Sequence, residues 1–142
     1  MSASEHDPFT GTWVFSAARS DLSTPMPQSW VLQMRASESD VSHREEIITA
    51  DGSEATVVIH ATFDGEDHPV SGSPLMDTVT CTRLTPHLIG STGKKAGAVT
   101  LTDTLTVSLD GEVLTLTYSI FDGSQEIAKG TGIFERRPAE SQ

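Results

Sequence analysis

A chain of 142 residues with 36% apolar content is long enough for one domain built around one core or one cavity. A net charge of −11, with nine scattered basic residues, excludes nucleic acid and anionic membrane surfaces, both of which demand a basic stripe. The lone Cys81 excludes an intramolecular disulfide and a thiolate zinc site, and the polar start carries no apolar run, so a cytoplasmic, reduced protein without a leader is expected.

Period-2 alternation dominates the chain, and a 3.6-residue period is scarce, which points to strands rather than helices. Asp-Gly dipeptides at Asp51-Gly52, Asp64-Gly65, Asp110-Gly111 and Asp122-Gly123 mark tight hairpin turns. The first strand is expected over 11–18, with Trp13, Phe15 and Ala17 on one face. Pro25 and Pro27 make 20–28 a loop. The segment 29–36 alternates Trp30, Leu32 and Met34 against Val31, Gln33 and Arg35. Strands follow over 41–50 and 55–64, the latter placing Ala55, Val57, Ile59, Ala61 and Phe63 on one apolar face. Prolines 69 and 74 make 66–74 a loop across one barrel end. Strands over 77–84 and 87–92 flank a Thr85-Pro86 turn, 93–97 is a turn, and three strands over 98–109, 112–121 and 125–136 complete the chain. The resulting expectation is an all-β, closed up-and-down antiparallel barrel of eight to ten strands, because closure removes the exposed edges. One domain would cover 9–137, with tails at 1–8 and 138–142.

Two stretches carry a family resemblance. Gly11-Thr12-Trp13 opens the first strand, and Phe134-Glu135-Arg136 closes the last. Between them lies Asp64-Gly65-Glu66-Asp67-His68-Pro69-Val70-Ser71-Gly72-Ser73-Pro74. Together these resemble the lipocalin and wider calycin pattern, and a group of lipocalin-like bacterial proteins of undefined function that share such an acidic, proline-rich block. The resemblance implies a barrel whose tryptophan plugs one end beneath a basic residue, here Arg136 or Arg137. It also implies binding of small, mostly apolar molecules, while fixing no chemistry.

The polar residues that fall on apolar faces are the candidate site. An Asp110-Gly111 turn pairs Leu105 with Leu116, Asp103 with Tyr118, and Leu101 with Ile120, so Asp103 faces Tyr118 on the inward side. A carboxylate on an apolar wall is costly unless paired. A two-residue turn at Thr85-Pro86 would bring Arg83, beside Leu88, to within about 9–10 Å of Asp103 across two strand spacings. A three-residue turn at 51–53 pairs Val41, His43, Glu45 and Ile47 with Phe63, Ala61, Ile59 and Val57, so His43 and Glu45 also face inward, a pair suited to proton transfer. The candidate catalytic set is therefore Asp103, Tyr118, Arg83, Glu45 and His43. Each also has a plainer reading, as a structural hydrogen bond or a solvated strand face.

Trp30, Met34, Ile59, Phe63, Leu101, Leu105 and Leu116 are candidate wall residues for a ligand, with His68 at the barrel mouth. The five histidines show no metal-ligand spacing, and neither a nucleophile elbow nor a phosphate loop is present, so no metal and no cofactor are expected. Three readings remain, the last of them a structural or interaction domain whose barrel is filled. The first is binding of a small hydrophobic or aromatic molecule by a monomer or homodimer. The second is a cofactor-independent isomerase, cyclase or lyase using Asp103 or Glu45 as base, with Tyr118 or Arg83 stabilising an oxyanion.

Overall fold

The computed structural model describes residues 7–138. Ten strands follow one another: β1 (Gly11–Leu22), β2 (Ser29–Ala36), β3 (Asp40–Ile48), β4 (Glu54–Thr62), β5 (His68–Ser71), β6 (Thr78–Thr85), β7 (Leu88–Lys95), β8 (Ala98–Val107), β9 (Val113–Asp122) and β10 (Gln125–Arg136). Each pairs antiparallel with its neighbours in sequence, and β1 meets β10, giving a closed up-and-down barrel. Among the described residues there is no helix. The cause is visible in single strands. In β4, Val57, Ile59 and Ala61 are buried while Val58 and His60 between them are exposed, so one pleated face turns inward.

One end of the barrel is sealed by packing that begins before β1. Phe9, Trp13, Leu114 and Phe134 are fully buried there. The Trp13 indole N–H donates to the Phe9 carbonyl at 3.0 Å. The Arg136 guanidinium lies 4.2 Å above the Trp13 ring and donates to the carbonyls of Gly111, Thr10 and Pro8 at 2.6, 2.7 and 2.7 Å. Arg136 is thus the basic residue over the plug, a cation–π contact of about 0.5–2 kcal/mol. Arg137 contributes only its backbone, donating to Thr12 O at 2.8 Å. Asp7 and Pro8, which the sequence assigns to a tail, belong to this seal. The rest of the expected tails, 1–6 and 139–142, lies outside the described residues.

Several expectations need correction, each for a local reason. The first strand continues to Leu22 after an irregularity between Ser16 and Asp21, because the Ser20 hydroxyl accepts the Ile133 N–H at 2.8 Å and bridges the interrupted ladder. The loop expected over 66–74 contains β5, a short strand with two residue pairs to each neighbour. Gly72 ends it against β4 at φ +83°, where an added Cβ would run into the Thr56 carbonyl. The turn expected over 93–97 shrinks to Ala96-Gly97, with both residues at positive φ as a two-residue hairpin demands. The β3–β4 turn centres on Asp51, whose carboxylate accepts from the Thr49 hydroxyl at 2.6 Å and the Ser53 N–H at 2.9 Å. That moves the register by two residues, so His43 pairs with Ile59 and Glu45 with Val57, and the inward face is unchanged. The strand expected over 98–109 ends at Val107, and Leu109 beyond it is 93% exposed because the Asp110 turn opens beyond Ser108.

Candidate functional site

Above the sealed end the barrel encloses a cavity of about 390 Å³. Most of its wall is aliphatic. Leu32, Met34, Ile59, Leu105 and Leu116 present the inward faces of β2, β4, β8 and β9. Leu22, Pro25 and Pro27 on one side and Ser73–Met76 on the other frame its open end.

The polar groups of the wall fall into two sets. On one side, strand register places Cys81, Ser91, Asp103, Tyr118 and Gly130 in a single row running from β6 to β10. On the other, β3 carries His43 and Glu45 into the cavity. In the strand order β3 and β8 are five positions apart in a ring of ten, so Asp103 and the His43–Glu45 pair stand on opposite walls.

The second set is partly organised. The Trp30 indole N–H donates to Glu45 Oε1 at 2.7 Å, and Trp30 is itself held by Phe15 and Phe134, with ring centroids 5.4 and 5.0 Å away. Glu45 is therefore oriented from an aromatic cluster. His43 Nε2 lies 3.3 Å from Glu45 Oε2, an electrostatic contact without hydrogen-bond alignment, and that nitrogen has no partner.

Asp103 is the least satisfied group of the site. Its Oδ1 is shut from bulk solvent and has no hydrogen-bond partner. Burial pushes the carboxyl up to about 7, helped by the Glu45 charge and opposed by His43 and the Ser91 hydroxyl. The surface that Asp103 keeps opens on the cavity it lines. Near neutral pH it therefore exists in both forms, one a donor and the other only an acceptor. Burial also raises the Cys81 thiol, which sits 3.6 Å from the Ser91 hydroxyl as a small apolar wall residue.

The sequence placed some of these groups correctly. The β8–β9 register pairs Leu101 with Ile120, Asp103 with Tyr118 and Leu105 with Leu116, as the apolar faces require. Trp30, Met34, Ile59, Leu101, Leu105 and Leu116 line the cavity, as do His43, Glu45, Asp103 and Tyr118.

Other placements fail. Tyr118 shares a row with Asp103 but does not bond to it. Its ring leans the other way, over Gly130, where an added Cβ would sit 2.8 Å from the Tyr118 hydroxyl. Arg83 is at the sealed end, far from the role expected beside Asp103. The turn is Pro86-His87, so Thr85 pairs with Leu88, and a bulge at Leu84 then sets Arg83 opposite Ile89. Its guanidinium forks onto Asp7 at 2.6 and 3.1 Å, donates to the Ser37 and Pro86 carbonyls, and covers the Phe9 ring at 5.2 Å. Phe63 packs against the core below the cavity, with its N–H on Ser39 O, and His68 pairs with Asp64 at 2.9 Å; neither lines the cavity.

Ser91, directly across from Asp103, escaped the sequence reading. Nothing in the sequence sets the β7–β8 register, because a bulge at Thr100 shifts it by one. Among the described residues, no group of three or more His, Cys, Asp and Glu is placed to hold a metal ion.

No protein-family model and no curated protein matches the chain.

Proposed function

We propose that this is a lipocalin-type binding protein, whose ligand is a small molecule with a mostly hydrophobic or aromatic body. The observation that carries the reading is the cavity of about 390 Å³, largely aliphatic, with Asp103 and Ser91 on one wall facing His43 and Glu45 on the other. That combination of apolar walls and a few convergent polar groups is the ordinary build of a small-molecule site. Such a wall desolvates the body of a ligand at about 25 cal/mol per Å² of apolar surface, while the patches orient its polar end.

The test is titration with N-phenyl-1-naphthylamine, a neutral apolar fluorophore that dimensions of this kind accommodate. Saturable one-to-one binding with a blue-shifted emission is expected, together with quenching of Trp30. Leu105→Trp or Leu116→Trp, which fill the cavity, should weaken binding at least tenfold while the barrel stays folded by circular dichroism. Absence of saturable binding, or affinity indifferent to cavity filling, would overturn the reading.

One observation favours a second reading, a cofactor-independent isomerase, cyclase or lyase. Asp103, with its carboxyl near neutrality inside the cavity, is poised for general acid–base work. Such an enzyme would exchange the α-protons of a bound ketone with deuterated solvent, and Asp103→Asn would abolish the exchange. Unchanged proton signals over prolonged incubation with cavity-sized ketones would remove it.

A further inference from the structure

We infer that the ligand's polar end is a protonated amine, held between Asp103 on one wall and Glu45 on the other, and that molecules ending in a carboxylate are rejected. The inference rests on the binding reading above and names the chemistry of the ligand's head.

Three independent observations converge on it. The first is the sign of the cavity. Its lining includes two carboxylates, Asp103 and Glu45, and among the described residues no lysine or arginine lines it. Three arginines are committed elsewhere: Arg83 and Arg136 seal the far end, and Arg44 pairs with Glu46 on the outer face of β3. An anionic head would enter a low-dielectric space holding only negative charges and one imidazole, which costs several kcal/mol without a compensating partner.

The second is the unmet hydrogen bonding of the site. Asp103 Oδ1 is buried without a hydrogen-bond partner, and the side chain it belongs to lines the cavity. A carboxylate is an acceptor, so what it lacks is a donor, and an ammonium supplies three. On the opposite wall Glu45 spends Oε1 on the Trp30 indole, and Oε2 faces only the misaligned His43. The Trp30 and Tyr118 rings both line the same space, offering aromatic surface to a cation.

The third is long-range. A net charge of −11 surrounds the barrel with a field that draws cations toward it and slows anions.

The titratable groups facing Asp103 are His43 and Glu45 from β3, Cys81 from β6 and Tyr118 from β9; Ser91 from β7 adds no charge. Binding of an ammonium selects the ionised Asp103, so below neutrality it expels the carboxyl proton to solvent. Amine binding therefore weakens as the pH falls. With the Asp103 carboxyl near 7, the ionised fraction drops about 30-fold between pH 8 and pH 5.5, and the affinity follows it.

The experiment displaces N-phenyl-1-naphthylamine from the full chain with three probes of matched length: n-octylamine, 1-octanol and octanoate. At pH 8, octylamine is expected to bind at least tenfold more tightly than octanol, and octanoate more weakly than either. From pH 8 to 5.5 octylamine should lose about 30-fold, whereas the neutral alcohol should change less than threefold. In Asp103→Asn, and separately in Glu45→Gln, the amine-to-alcohol affinity ratio should collapse toward one, with the pH dependence gone in the former. Equal binding of octanoate, or an amine affinity flat across this pH range, overturns the inference while leaving the cavity reading standing. Failure of the neutral fluorophore itself to bind sinks the cavity reading instead. The wild-type comparison among the three probes decides the matter even if either variant folds poorly.

Discussion

Asp103→Asn is expected to stabilise the ligand-free protein at pH 8 by as much as about 4 kcal/mol, and to change little at pH 4. The Asp103 carboxyl lies near 7 in the folded barrel, against an ordinary value of 3.8, because burial disfavours its charged form. A difference of about three units corresponds to roughly 4 kcal/mol of linked free energy. The raised value means the folded state holds this proton more tightly than the unfolded chain does. Its contribution is therefore fully present below the unfolded value near 4, is lost as the pH rises toward 7, and is level above that. Asparagine keeps the shape and removes the charge.

Asp40, Asp51, Asp64, Asp67 and Asp110 act in the opposite sense. Their carboxyls are held low, mainly by side-chain hydrogen bonds from Ser37, Thr49, His68, Thr80 and Ser108 respectively. Their contributions are lost as the pH falls, so the wild-type profile alone mixes both signs. The difference between wild type and Asp103→Asn, measured by urea unfolding from pH 4 to pH 8, isolates the one group. Parallel profiles across that range would show that Asp103 is solvated after all.

Arg83→Met should destabilise the barrel by about 3–5 kcal/mol without altering affinity for the cavity probe. The two side chains of the Arg83–Asp7 pair are only 12% and 8% exposed, so removing the guanidinium strands a carboxylate where water barely reaches. The Ser37 and Pro86 carbonyls lose their donor in the same step. A loss of that size lowers the melting temperature by about 10–17 °C in a domain of this length. Asp7→Asn on the Arg83→Met background should recover part of it, because the uncompensated charge is then gone. A shift of less than about 1 kcal/mol would show the pair to be solvated. Weakened ligand binding at unchanged stability would return Arg83 to the site that the sequence suggested for it.

The two variants separate the halves of the molecule. Arg83, Asp7, Phe9, Trp13 and Arg136 form the sealed end, where charges are paired and every guanidinium is satisfied by carbonyls or a carboxylate. The cavity above it keeps an unsatisfied carboxylate and an unpartnered imidazole nitrogen. Buried groups left in that state cost stability, and both stand in the cavity wall rather than in the well-paired end.

The alternation of apolar residues and the Asp-Gly turns determined by themselves that this chain is an all-β barrel. They also determined which faces of β3, β8 and β9 turn inward, because a strand's period of two leaves only two choices and one of them buries the apolar set. Asp103 opposite Tyr118, and His43 with Glu45 on one face, follow from that alone. Only the tertiary structure decided what these groups meet. Bulges at Leu84 and Thr100 each insert one residue and leave no mark in local hydrophobicity, yet they set Arg83 opposite Ile89, which pairs with Leu105, and bring Ser91 to Asp103. Tyr118 turns from Asp103 because Gly130, one strand further round, leaves room for its ring. That His43 and Glu45 stand opposite Asp103 is a property of closure, five strands apart on a ring of ten, and no segment of sequence contains it.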